Sequence, residues 1–233
     1  GRYAVMISSN AEVAAIASVS GTGSTRFTGS YTGFSSGAQK FYLPTFAYNF
    51  YGWYSMISVQ NLGTSPADVE VAISCENGVT GTLTKNDIPS MASHTFALKN
   101  ITPTGFSPST QCIGSAVVNS DQNVVAADSQ NKPLSGNTNT FSGLVSGNTK
   151  LYVPALANSF YGWNHSLNIL KLGSGNTTVT VEYNDGAPDS ICNLTDITPS
   201  CQLYMPTAHA ATGFFGATIT SSPTTELVAV ANS

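Results

Sequence analysis

Lys40 to Gly63 reads "KFYLPTFAYNFYGWYSMISVQNLG", and Lys150 to Gly173 reads "KLYVPALANSFYGWNHSLNILKLG". The second stretch starts 110 positions after the first and keeps Lys, Tyr, Pro, Ala, Phe-Tyr-Gly-Trp and Leu-Gly at the same spacing. Upstream, Tyr31–Lys40 "YTGFSSGAQK" matches Phe141–Lys150 "FSGLVSGNTK". Downstream, Asp68–Gly78 "DVEVAISCENG" resembles Thr178–Gly186 "TVTVEYNDG". Both downstream segments carry Val at alternate positions, the period of a half-buried strand. Each reaches Asn77-Gly78 or Asp185-Gly186, dipeptides that suit the positive φ angles of a two-residue hairpin turn.

A third element closes each repeat. Gly114–Asp128 "GSAVVNSDQNVVAAD" matches Gly216–Asn232 "GATITSSPTTELVAVAN", and both read as strand, polar turn, strand. Gly1–Ser18 "GRYAVMISSNAEVAAIAS" is the same pattern within a one-residue gap. The chain therefore holds two opening segments and three closing hairpins. A lone two-stranded hairpin is marginal in water, so Val5, Ile7, Val13 and Ile16 need a sheet to lie against. Three explanations stand open: a preceding unit was cut away, the hairpin packs within its own chain, or it completes a unit in a neighbouring copy by strand addition. The chain starts at Gly1 without Met, which reads as a processed product or a fragment.

The expected fold is all-β: two tandem immunoglobulin-like sandwich units of about 110 residues, with an N-terminal hairpin that matches the closing hairpin of each unit. The expected boundaries are a hairpin over 1–20, a Gly/Ser/Thr-rich linker over 21–39, unit 1 over 40–130, a linker over 131–149 and unit 2 over 150–233. The helical candidate Ser9–Val19 is discounted, because its two matched copies read as strands.

Composition narrows function. Charged residues make up 9% of 233 residues and the net charge is −4, which argues against nucleic acid as a partner, since that needs a basic face to neutralise phosphates. No apolar run is long enough to span a membrane. Cys75, Cys112, Cys192 and Cys201 show no CxxC spacing, which argues against zinc. The simplest pairing is Cys75–Cys112 and Cys192–Cys201, each inside one repeat, as in an oxidising compartment. His94, His165 and His209 occupy non-equivalent repeat positions without metal-ligand spacing. Asp185 and Asp189 do not have the spacing of a calcium loop. Ser20–Ser30 is glycine-rich but lacks the lysine and helix of a phosphate loop. No catalytic constellation, metal site or cofactor is indicated.

Phe50-Tyr51-Gly52-Trp53 and Phe160-Tyr161-Gly162-Trp163 have two readings. One is an aromatic platform for sugars or an interface. The other, preferred because a fold-defining element recurs in every unit, places the Trp in the core with Gly permitting a sharp turn. Asn-x-Ser/Thr sequons stand at Asn100, Asn164, Asn176 and Asn193. With 19 Asn in a chain so rich in Ser and Thr, four are no enrichment over chance.

The stretch "YLP…FYGW…VQNLG", its alternating valines and the closing "GSAVVNSDQNVVAA" resemble a repeat of secreted and cell-surface proteins from filamentous, Chloroflexus-like bacteria. There a Tyr-Gly-Trp-Asn segment opens each β-sandwich unit. Trp163-Asn164 keeps that Asn and Trp53-Tyr54 departs from it. The resemblance implies an extracellular, non-catalytic role. With the orphan hairpin, it gives the expectation of a pilus-like filament or surface-layer subunit that polymerises with copies of itself by strand exchange. The alternative expectation is an adhesin or carbohydrate-binding segment of a larger surface protein, with surface glycans as partners.

Overall fold

A computed structural model describes residues 5–20, 28–133 and 137–232. The described residues are all-β apart from one four-residue helix. Their strands form several sheets around two hydrophobic core clusters, one in each half of the chain.

In the first half the strands are β1 (Ile16–Ser20), β2 (Thr28–Thr32), β3 (Ala38–Tyr48), β4 (Met56–Asn61) and β5 (Ala67–Cys75). They continue with β6 (Thr80–Ile88), β7 (Ser93–Ala97), β8 (Cys112–Lys132) and β9 (Asn137–Ser142). β8 is the axis of this half. Its N-terminal part lies between β3 (Phe41↔Val118) and β5 (Val71↔Val118). Its C-terminal part lies between β4 (Val59↔Ala126) and β9 (Ala127↔Ser142). One layer is thus β3-β8-β5-β6 and the other β7-β4-β8-β9. Inward side chains from both layers meet in one core, with Phe41, Leu43, Val71 and Ile73 facing Ile57, Val59, Phe96 and Val124. Burial alternates along β5 as period-two patterning requires.

The second half repeats the plan with β10 (Lys150–Asn158), β11 (Ser166–Lys171), β12 (Thr177–Tyr183), β13 (Ser190–Leu194), β14 (Ser200–Tyr204), β15 (Gly213–Ser222) and β16 (Leu227–Asn232). One sheet runs β10-β15-β12-β13 and the other β14-β11-β16. In order of appearance that is 1-6-3-4 over 5-2-7. An immunoglobulin constant-type domain also divides seven strands four and three, but in the order 1-2-5-4 over 3-6-7. The short helix α1 (Met205–Ala208) buries Met205 in the second core.

Several expectations need correction. The closing element is not a hairpin. In the first half it is one strand that passes between sheets at the polar Ser120–Asn123, and in the second its two parts, β15 and β16, lie in different sheets and do not pair. Both parts of β8 and also β15 have strands on both flanks, whereas β16, among the described strands, pairs with β11 alone and ends its sheet. Residues 5–15 likewise form no strand, and β1 pairs forward with β2 (Ile16↔Thr32). The stretch 131–149 is more than a linker, because it carries β9. Asn77-Gly78 does not form a two-residue turn. Cys75 N–H donates to Val79 O, closing a three-residue loop in which Gly78 has φ +81°, the pattern of a type I turn with a glycine bulge.

Candidate functional site

The disulfides pair as expected. Cys75–Cys112 ties the end of β5 to the start of β8. Cys192–Cys201 ties β13 to β14 and so staples the two sheets of the second sandwich. Each contributes about 2–4 kcal/mol by restricting the unfolded chain. Their non-equivalent positions leave the repeat unconstrained by a shared covalent frame.

The FYGW segments are turns. Phe50 and Trp53 exchange two backbone hydrogen bonds (3.3 and 2.9 Å), and Phe160 and Trp163 do the same (3.2 and 2.9 Å). The central residues have positive φ in both copies: Tyr51 +48° and Gly52 +83°, Tyr161 +49° and Gly162 +82°. Two successive positive φ values define a type I′ turn. This overturns the core placement of the Trp. Trp163 is 59% exposed and Tyr161 89%, while Trp53 and Phe50 are half-buried. The tip of a tight turn has no second layer above it, so bulky side chains there face solvent. Phe160 packs edge-on to Tyr161 (4.7 Å between centroids) and to Phe214 (5.3 Å). Phe50 packs on Tyr51 at 4.8 Å.

The sequon residues Asn100, Asn176 and Asn193 are exposed. Asn164 is half-buried, its Oδ1 accepting from Ser159 N at 2.7 Å. The histidines do not converge. His209 is fully buried, stacked on Phe215 at 3.7 Å, and its Nε2 lies 3.1 Å from Asp185 Oδ2. Asp185 thus serves a core contact. His94 packs on Phe96 at 4.6 Å. Burial lowers the pKa of both His94 and His165. Among the described residues, no group of three His, Cys, Asp or Glu is arranged to hold a metal ion, and no helix is long and apolar enough to cross a membrane.

The surface that the repeat makes most informative is the junction between the halves. There the chain after β8 turns back and adds β9 to the edge of β8, with Gly143 N–H donating to Ala126 O at 2.8 Å. Phe141 enters the first core. Leu144 then exchanges hydrogen bonds with Tyr42 (2.9 and 2.7 Å). A Cβ on Gly143 would stand 2.9 Å from Ala126 O and 3.0 Å from Phe41, so only glycine fits. β11, β14 and β16 of the second half lie against β3 and β8 of the first. Phe41 and Leu43 point into the first core, lie beside Gly143 and are fully buried.

In the second half the corresponding surface is uncovered. Leu151 and Val153, the counterparts of Phe41 and Leu43, are only half-buried, and Tyr152, the counterpart of Tyr42, is 72% exposed. The outer edge of β16 pairs at one bridge, Asn148↔Leu227, and with no strand among the described residues. Val5, Ile7, Val13 and Ile16 are exposed as well. The junction is hard to see in the sequence, because the polar residues 131–149 look like a spacer. The match of Tyr31–Lys40 to Phe141–Lys150 was the signal that they form a repeated part.

No protein-family model matches this chain, and no curated protein is similar to it. A solved structure, the crystal structure of Thermotoga maritima 1070, is similar over 46% of this chain and 94% of its own, at 18% identity and a TM-score of 0.38. A likeness that low carries no argument about function.

Proposed function

We propose that this protein is a structural subunit of an extracellular filament or surface layer, joined to copies of itself by β-strand exchange. One observation carries the reading. The junction between the halves is itself a strand addition, β9 on β8, and the second half leaves the matching edge and face open. An interface whose two sides differ propagates when each subunit carries one free copy of each side. Two disulfides suit an oxidising exterior. A charge content of 9% leaves little repulsion between packed subunits. The resemblance to cell-surface repeats points the same way.

The test is electron microscopy of native material taken from the producing cells without denaturation. Regular filaments or a lattice with a repeat of one chain length support the reading. Isolated short rods remove it.

A second reading, an adhesin or glycan-binding segment, rests on the exposed aromatic tips of Tyr51, Tyr161 and Trp163, since exposed aromatic faces stack on sugar rings. It predicts that sugars quench Trp163 fluorescence. A Tyr161→Ala/Trp163→Ala chain that retains full glycan binding removes its support.

A further inference from the structure

We infer that the open edge of β16 is the acceptor for strand Thr28–Thr32 of a second copy, in one defined register; this rests on the filament reading and specifies its joint. The register comes from two internal equivalences. Ile57, Ser58 and Val59 pair with Asp128, Ala127 and Ala126. Their counterparts 110 positions on, Leu167, Asn168 and Ile169, pair with Ala231, Val230 and Ala229. Val230 therefore stands where Ala127 stands, and Ala231 where Asp128 stands. On β8, Ala127 faces Ser142 and Asp128 faces Phe141. The residues 110 positions before Ser142 and Phe141 are Thr32 and Tyr31. The joint is thus Thr32 opposite Val230 and Tyr31 opposite Ala231. Phe34, the counterpart of Leu144, then reaches the exposed Tyr152 as Leu144 reaches Tyr42.

Within the chain β2 already lies in this register against β1. Ile16 faces Thr32, Ala17 faces Tyr31, and Gly33 N–H donates to Ala15 O at 2.8 Å, as Gly143 does to Ala126. The sequences correspond, Val13-Ala14-Ala15-Ile16-Ala17 against Leu227-Val228-Ala229-Val230-Ala231. β1 is therefore an internal stand-in for β16. It is a weak one. Ile16 stays 71% exposed, and β2 is held further by β9, where Ser142 Oγ donates to Thr32 O at 3.1 Å, and by Phe34, which packs edge-on to Phe41 at 5.8 Å. β16 belongs to a packed sheet with a core behind it, which β1 lacks, so the exchange sets that sheet against the contacts of β2 with β1 and β9. Native edges are commonly protected by Lys or Pro, and Leu227–Asn232 holds neither. Tyr31 would take the core-covering place that Phe141 takes in the first half, and Leu151 and Val153 would become buried as Phe41 and Leu43 are.

The test mixes two full-length variants, Thr32→Cys and Val230→Cys, under mild oxidation. On β8 and β9 this pair alternates with the hydrogen-bonded Asp128–Phe141 pair, and such non-hydrogen-bonded positions bring Cα atoms within reach of a disulfide. The mixture is expected to give a disulfide-linked dimer. Tyr31→Cys mixed with Val230→Cys is expected to give none, because a one-residue slip moves the thiol to the opposite face. Filaments that form while Thr32→Cys and Val230→Cys fail to cross-link overturn this joint and leave the filament reading standing. That result assigns the β16 edge to another occupant, such as a different segment of the chain. Neither filaments nor cross-links sinks both. Equal cross-linking of the shifted pair also overturns the register.

Discussion

Asp128 shows how far one side chain departs from what its type suggests. It lies in the centre of the first half, fully buried. Ser55 Oγ donates to its Oδ2 at 2.7 Å and Met56 N–H to its Oδ1 at 3.0 Å. Burial pushes its pKa up to about 6, more than these hydrogen bonds pull it down. A folded pKa above the ordinary value means that the native state binds more protons between the two. Stability should therefore be complete below about 3.8 and fall as the pH rises through about 6. The expected loss is on the order of 3 kcal/mol. Asp128→Asn should flatten this slope in denaturant melts at pH 4 and pH 7. An unchanged slope would place the titration elsewhere. The FYGW turns mark the limit of residue-level reading. Recurrence told that they define the fold, and Gly52 and Gly162 told of a turn. Tyr51 and Tyr161 at positive φ were not legible, because tyrosine seldom adopts that conformation, and the turn type decides whether the Trp faces the core or the solvent.

Among the elements, strands were legible and their partners were not. The alternating valines of β5 and β12 announce half-buried strands, and both are. Val124–Ala127 is different: four consecutive buried residues, the mark of a strand covered on both faces. That pattern argued for a central strand, but the polar Ser120–Asn123 beside it looks like a hairpin turn. Period alone cannot say whether two strands flanking a polar break pair with each other or with strands distant in sequence. The same ambiguity hid the place of β1. No residue of 5–20 belongs to the first core, so a chain lacking residues 1–20 should keep its thermal midpoint. If β1 holds β2 as a stand-in, that chain should also assemble faster, followed by light scattering at matched concentration. Slower assembly, or none, would return the donor role to Val5, Ile7, Val13 and Ile16.

At the scale of the whole molecule the two halves meet through a titratable contact. Glu76, in the loop after β5, is hydrogen-bonded by the backbone of Gln202 on β14, and burial there raises its pKa to about 7. Gly78 of the same loop lies beside Ile197. Among the described residues Glu76 takes part in no ion pair. Its deprotonation therefore places an uncompensated charge between the halves. The contact should be at full strength below about 4.5 and weaken as the pH rises through about 7. Limited proteolysis within β9 (Asn137–Ser142) at pH 5 and pH 8 measures this, since cleavage there needs β9 to lift from β8. Cleavage should be faster at pH 8 in the native chain and independent of pH in Glu76→Gln. Because the strand-addition joint between the halves is the pattern proposed for the joint between copies, a subunit with a loosened internal joint should build less regular filaments. Glu76→Gln should then preserve at pH 8 the order that native filaments show at pH 5. If the variant's filaments lose order with pH as the native ones do, the internal joint does not govern the assembly.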